Sequence, residues 1–377
     1  MNILIIPDKF KGSLTAQQAI DSIRLGLEDQ SRNIQSHSII ASDGGDGFLS
    51  AVRRSDSSIK IISCLSTDPL GRPIDATYGF RESDSVAFVE MAKASGMELL
   101  QRNELDPSET TTFGTGQLIA NAIEIGATKV FVGLGGSATN DGGTGIAAAM
   151  GLSFLDEFGA KIPATGGGLA RLDRIVSDLS LEGVEIFAIN DVQNPLLGPE
   201  GASHVYGPQK GADSAMVKRL EANLSKLSDI VKRDLKIDAS STPGTGAAGG
   251  TGYGLHVFLN ARFLSGIDFV LSLAGVESLL AKGGFDLIIT GEGRIDDQTA
   301  YGKLVRGVAS VGKKHGVPVL AVCGLCSLES MTADDIGVRK IFQLHDDSRS
   351  VEETIKKASS LLRKAMANLD LSICESP

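Results

Sequence analysis

Near its start the chain carries a short unbroken apolar run, residues 3–6, which predicts a buried parallel strand. After a loop, Thr15 is placed to cap a helix whose apolar residues Ala16, Ala19, Ile20, Ile23 and Leu27 fall at helical spacing. Residues 38–41 read as the next strand, so the chain opens β-α-β. The same grammar returns at the far end. Residues 285–289 predict a strand, 301–314 a helix, 317–322 a strand with Pro318 at its entry, and 340–342 a shorter one. Ser350 then opens a final helix, with Glu353 completing a capping box and Ile355, Ala358, Leu361, Leu362, Ala365 and Leu369 on its apolar face. The middle differs. Residues 59–91 hold short strand-like runs separated by Asp68-Pro69-Leu70-Gly71 and Glu82-Ser83-Asp84, a spacing that favours an antiparallel meander. Helical stretches follow at 117–125 and 214–235. The expectation is an α/β protein: a doubly wound parallel sheet formed from both chain ends, residues 1–60 and 284–377, with a second, inserted α/β domain at 61–283.

Glycine changes this picture first. There are 45 glycines against 11 prolines, clustered between apolar runs without a collagen-like period, which predicts tight loops where backbone approaches a ligand. A formal net charge of −10, no Trp and 5% aromatics argue against a nucleic-acid partner, which needs a basic face and stacking platforms. An anionic substrate stays compatible, because local Lys and Arg override the global field. No apolar run approaches the roughly 18 residues of a membrane span, and the N-terminus lacks the basic and apolar regions of a signal peptide. Cysteines at 64, 323, 326 and 374 form no disulfide framework in a chain this long. The expectation is a cytoplasmic protein with no nucleic-acid or membrane partner, for which a homo-oligomeric state is open.

The candidate chemistry sits in the loops. Residues 129–132 form an apolar strand that runs into Gly133-Leu134-Gly135-Gly136-Ser137-Ala138-Thr139-Asn140-Asp141-Gly142-Gly143-Thr144-Gly145, with a helix predicted at 146–150. Glycine lets backbone N–H groups crowd an anion, and a helix N-terminus adds a favourable dipole. Gly133-x-Gly135-x-x-Ala138 also fits a dinucleotide fingerprint with Asp156 near the acidic position, but Asn140-Asp141-Gly142-Gly143 falls where that fingerprint needs unbroken helix. No Gly-x-x-x-x-Gly-Lys-Ser/Thr occurs, so a P-loop is excluded. Residues 110–116 offer Thr111 and Thr112 before a helix. Ser42-Asp43-Gly44-Gly45-Asp46-Gly47 and Thr290-Gly291-Glu292-Gly293-Arg294-Ile295-Asp296-Asp297-Gln298 place carboxylates after strands, where open α/β sheets bind ligands and where Mg²⁺ finds oxygen ligands. Asn190-Asp191-Val192-Gln193-Asn194-Pro195 puts Asp191 at a strand end, and Gly207-Pro208-Gln209-Lys210-Gly211-Ala212 presents a lysine in a turn. Cys323-Gly324-Leu325-Cys326 lacks a second pair for zinc and reads as structural, and the five histidines have no metal-ligand spacing.

Together with Pro7-Asp8-Lys9-Phe10-Lys11-Gly12-Ser13, these loops resemble the type-1 glycerate kinase family, in its order and nearly end to end. The resemblance implies transfer of the ATP γ-phosphoryl group to D-glycerate with Mg²⁺, giving 2- or 3-phosphoglycerate. It also implies that the sheet built from both chain ends is flavodoxin-like. The family usually reads Asp-Gly-Gly-Glu-Gly-Thr where this chain has Asp46 and Phe48, and Cys where Asn190 stands. Phosphoryl transfer needs in-line positioning, a metal and a base rather than covalent chemistry. Asp191, Asp297 and Lys9 are the catalytic candidates. Lys11, Ser13, Thr111, Thr112, Gly135, Gly136, Ser137, Asn140, Lys210 and Arg294 are candidates for substrate or phosphate, with the 249–254 run beside them. Asp43, Asp46, Asp141 and Glu292 are candidates for the metal. Two other readings stay open: a dinucleotide-dependent dehydrogenase of a small hydroxy acid, needing NAD(H) but no Mg²⁺, and a non-catalytic organic-acid-binding protein.

Overall fold

The computed structural model describes every residue except 11, 31–32, 41–46, 178, 298–303, 347 and 372–377. In chain order its strands are β1 (Asn2–Pro7), β2 (Gln35–Ser38), β3 (Lys60–Thr67), β4 (Pro73–Arg81), β5 (Val86–Glu90), β6 (Lys129–Gly133), β7 (Ser153–Leu155), β8 (Arg174–Val176), β9 (Glu185–Ile189), β10 (Arg262–Leu264), β11 (Leu287–Asp296), β12 (Val319–Ser327) and β13 (Lys340–Gln343). The chain divides into two compact units. One holds Met1–Asp43, Arg54–Asp56 and Ile267–Pro377; the other holds Gly44–Arg53 and Ser57–Gly266.

In the first unit the sheet order is β13-β12-β11-β1-β2, all parallel. Read from β2, this is the flavodoxin-like order of a doubly wound sheet, and it draws on both chain ends. Alternation sets the core. Ile3, Ile5, Leu287, Ile289, Leu320 and Val322 share a face with Ile20, Ile23 and Leu27 of helix Ala16–Gln30 and with Leu362 and Met366 of helix Val351–Ala367. These helices touch so closely that a Cβ on Gly26 would lie 2.3 Å from the Arg363 carbonyl oxygen and 2.6 Å from Met366 Cβ. Gly26→Ala is therefore expected to push the helices apart at a cost of about 1–3 kcal/mol, read as a lower urea midpoint. An unchanged midpoint would mean the contact relaxes freely.

Two expectations need correction here. The second strand lies at Gln35–Ser38, three residues earlier than the expected 38–41, whose last residue lies outside the described residues. It is an exposed edge strand, so nothing required Gln-Ser-His-Ser to be apolar. Residues 290–296, expected as a loop, continue β11. Past the end of β1 they pair with an equally prolonged β12, Arg294 opposite Leu325 and Asp296 opposite Ser327.

The second unit is a mixed sheet of order β10-β9-β6-β5-β4-β3. β3, β4 and β5 form the expected antiparallel meander, while β5, β6, β9 and β10 run parallel. Ala87, Val89, Val130, Val132, Ile186 and Ala188 pack into one large cluster with the helices around them. On the opposite face Phe88, Phe131 and Phe187 stack in a row, 5.7 and 5.0 Å between ring centres. The parallel strands bring the loops that follow β5, β6 and β9 to one edge of this sheet.

Candidate active site

That edge carries most of the candidate residues of the second unit, and several of its glycines serve the packing of backbone on backbone. A Cβ on Gly249 would meet the Thr139 carbonyl oxygen at 1.9 Å, and one on Gly254 would meet that of Gly142 at 2.5 Å. Gly142 N–H donates to the Gly249 carbonyl at 3.2 Å. The two glycine-rich segments thus pack backbone on backbone, with Gly249 and Gly250 at φ of 68° and 84°. The 249–254 run is packed against the 139–143 loop. Gly135 and Gly136 remain half-buried at the end of β6.

Asp141 organises the loop. It is fully buried, and its carboxylate accepts from Thr112 N (2.8 Å), Thr112 Oγ1 (2.8 Å), Gly143 N (3.0 Å) and Gly145 N (3.2 Å). Thr112 Oγ1 in turn accepts from Ile146 N at 3.0 Å, tying the loop to helix Thr144–Ala149. Burial pushes the Asp141 carboxyl up, and the donors from Thr112, Gly143 and Gly145 pull against it. With both oxygens engaged and no exposure, Asp141 is better placed to hold the loop than a metal ion. It is a structural carboxylate.

Lys210 is also buried. Its Nζ donates to Ser137 Oγ and to the Thr139 carbonyl, each at 2.7 Å. The lysine this turn presents pins the loop from within. Burial lowers its ammonium to about 7 from an ordinary 10.5, and Asp141 partly restores it. Two donated bonds are all a neutral amine can make, so the geometry agrees with that direction. Between the two values the unfolded chain holds a proton the folded chain lacks, so stability rises with pH there. Cys64 and Cys323, ordinarily near 9.0, are pushed up by burial and act with the opposite sign at higher pH, as do Tyr78, Tyr206 and Tyr253. Lys210→Met should therefore flatten the rise in unfolding free energy from pH 7 to 9. An unaltered slope would mean the folded ammonium stays charged.

Asn140 accepts from Ser203 Oγ at 3.2 Å, while its buried Nδ2 has no partner among the described residues. Thr111 Oγ1 accepts from Phe113 N at 3.2 Å, a helix-start contact. Asp191, just past β9, accepts through Oδ1 from Ser265 Oγ (3.0 Å) and Gly266 N (2.8 Å). Sequence reasoning missed Glu90. It ends β5, is buried, and accepts from Gly47 N (3.1 Å) and Leu49 N (3.0 Å), holding the start of helix Phe48–Ser55. Its signal was a carboxylate closing the apolar run 86–89 with no solvent-facing reason to be there.

In the first unit, Lys9 is exposed and its backbone N–H donates to Asp8 Oδ1. Ser13 Oγ donates to the Phe10 carbonyl at 3.1 Å. Arg294 Nε donates to Ser327 Oγ at 3.1 Å and lies 3.6 Å from Asp296. Glu292 lies within β11, half-buried. Asp297 accepts from Ser330 N and Oγ and from Glu329 N, and the Ser330 hydroxyl holds its carboxyl below the usual range. Cys323 is buried in β12, its thiol pushed up to about 12, as suits a structural cysteine. Lys11, Asp43 and Asp46 lie outside the described residues. Among the described residues no group of three or more His, Cys, Asp or Glu could share a metal ion, and no helix is long and apolar enough to cross a membrane.

Residues 3–373 match the model of the glycerate kinase family. The chain belongs to that family. A glycerate kinase of Halalkalibacterium halodurans is 39% identical over 371 residues, 97% of each chain. A glycerate 2-kinase of Escherichia coli is 38% identical over 372 residues, covering 98% of this chain and 97% of its own. A crystal structure of a glycerate kinase 2 from Salmonella typhimurium LT2 superposes with a TM-score of 0.80 at 36% identity, covering 98% of this chain and 96% of that one. The protein is therefore a kinase with the α/β architecture expected of it.

Proposed function

We propose that the protein transfers the γ-phosphoryl group of ATP to a hydroxyl of D-glycerate, with Mg²⁺ carried on the nucleotide phosphates, and that the product is 2-phosphoglycerate. The end-to-end likeness to relatives named glycerate kinase carries this reading. The name of the Escherichia coli relative, a glycerate 2-kinase, supports the position of transfer. The geometry of the second unit is compatible with it. Gly135 and Gly136 are the part of the loop not closed against 249–254, and so are the proposed phosphate contact. Asp191 is the proposed base, its carboxylate oriented by Ser265 and Gly266. Mg²⁺ typically uses one or two carboxylates plus substrate phosphates, and of the described candidates Glu292 remains for that purpose.

Incubation with Mg²⁺-ATP and D-glycerate, followed by phosphorus NMR, is expected to give 2-phosphoglycerate. Chelation of the metal should stop turnover and added Mg²⁺ restore it. Folded protein that makes no phosphoglycerate would remove the reading, and 3-phosphoglycerate would overturn the position alone.

A further inference from the structure

Within the first unit, past the C-terminal ends of β1 and β13 and against the prolonged C-terminal parts of β11 and β12, lies a cavity of ≈ 190 Å³. Its walls include Phe10, Leu325, Leu344, Val351, Ile355 and Arg294. This is where open parallel sheets take their ligands. Gly293 and Gly324 leave the floor free of side chains, and a Cβ on Gly324 would meet the Gly293 carbonyl oxygen at 2.7 Å. The cavity is largely apolar with few polar groups. One is the buried Thr354 hydroxyl, 3.0 Å from His345 Nδ1. Another is the Arg294 guanidinium, held by Ser327 and Asp296.

We propose that this cavity holds the base of the donor nucleotide, an inference that rests on the phosphoryl-transfer reading above. A kinase handles two substrates. Glycerate has a polar group on every carbon, and apolar walls would strip its water without replacing the hydrogen bonds. The nucleotide has one large, flat, weakly polar part. The volume falls below the roughly 300–1,000 Å³ of a complete small-molecule site, so it suits one ring system and not a whole nucleotide. Arg294 is the wall residue suited to such a ring, since a planar guanidinium stacks on aromatic faces.

Ile355 and Val351 stand at the rim, 41% and 55% exposed, so substitutions there leave the core alone. In full-length protein, Ile355→Glu and Val351→Trp are each expected to weaken adenosine binding, read by calorimetry, by about tenfold. They should raise the KM for ATP by about as much while the KM for glycerate moves less than about twofold. Far-UV circular dichroism checks that both variants fold. If wild-type protein makes phosphoglycerate and both folded variants keep the wild-type KM for ATP and affinity for adenosine, the assignment of the cavity is wrong. If wild-type protein binds adenosine, the variants lose that binding, and no phosphoglycerate forms, the cavity stands and the kinase reading falls.

Discussion

Asp141→Ala is expected to cost more than about 4 kcal/mol in urea unfolding, or to abolish folding of the second unit, because several linked interactions are lost together. The substitution strands four donors at a fully buried position: two backbone N–H groups of the 143–145 turn, and the N–H and hydroxyl of Thr112. A buried donor without a partner costs about 1–3 kcal/mol. The loss spreads further. Thr112 Oγ1 also accepts from Ile146 N, and the Asp141 charge acts on Lys210, whose Nζ pins Ser137 and Thr139. Asp141→Asn separates charge from hydrogen bonding. Its amide oxygen can take the place of Oδ2, which accepts three of the four donors, leaving the amide nitrogen against Gly143 N. Asn should therefore recover part of the stability that Ala loses. A well-folded Asp141→Ala protein with near wild-type stability would mean the loop does not depend on this carboxylate.

This network shows which parts of the molecule were legible in the sequence. Short apolar stretches such as 3–6 and 287–289 and the helical spacing of 16–27 predicted the parallel sheet and its first helix, because a strand buried on both faces is apolar nearly throughout. β2 was misplaced for the converse reason: an exposed edge asks nothing of its side chains. Residues 290–296 read as a loop because glycine and charge usually mark one. They form a strand because β12 runs on beside them, a partner about thirty residues away in sequence, as Arg294 opposite Leu325 shows. The candidate site divides along the same line. Its residues could be listed from composition, but whether an Asp or a Lys faces a ligand or the interior depends on long-range neighbours. Lys210 finds its acceptors at Ser137 and Thr139, and Glu90 finds its donors at Gly47 and Leu49. Glycine was the most ambiguous signal, since a close approach to phosphate and a close approach to backbone select the same residue. Gly249 against Thr139 is of the second kind.

Asp191→Asn is expected to lower kcat by roughly a hundredfold to ten-thousandfold, the range general acid–base groups supply. The structure makes this substitution unusually informative. Oδ1 of Asp191 accepts from Ser265 Oγ and Gly266 N at the start of helix Gly266–Leu273. An asparagine oxygen can accept both bonds, so the cap survives while the charge is lost. If capping is the whole role of Asp191, the Asn variant should keep near wild-type turnover, and only Asp191→Ala should lose stability, by about 1 kcal/mol. If the carboxylate takes the glycerate proton, the Asn variant should fold normally, bind both substrates with little change, and lose kcat. If it holds Mg²⁺ instead, the apparent metal affinity should weaken as well, and raising Mg²⁺ should recover part of the rate. Kinetics at limiting and saturating Mg²⁺, alongside urea melts of the Asn and Ala variants, separate the three. Near wild-type turnover of Asp191→Asn under both metal conditions would leave Asp191 as a cap, and the base would have to be sought among the other carboxylates.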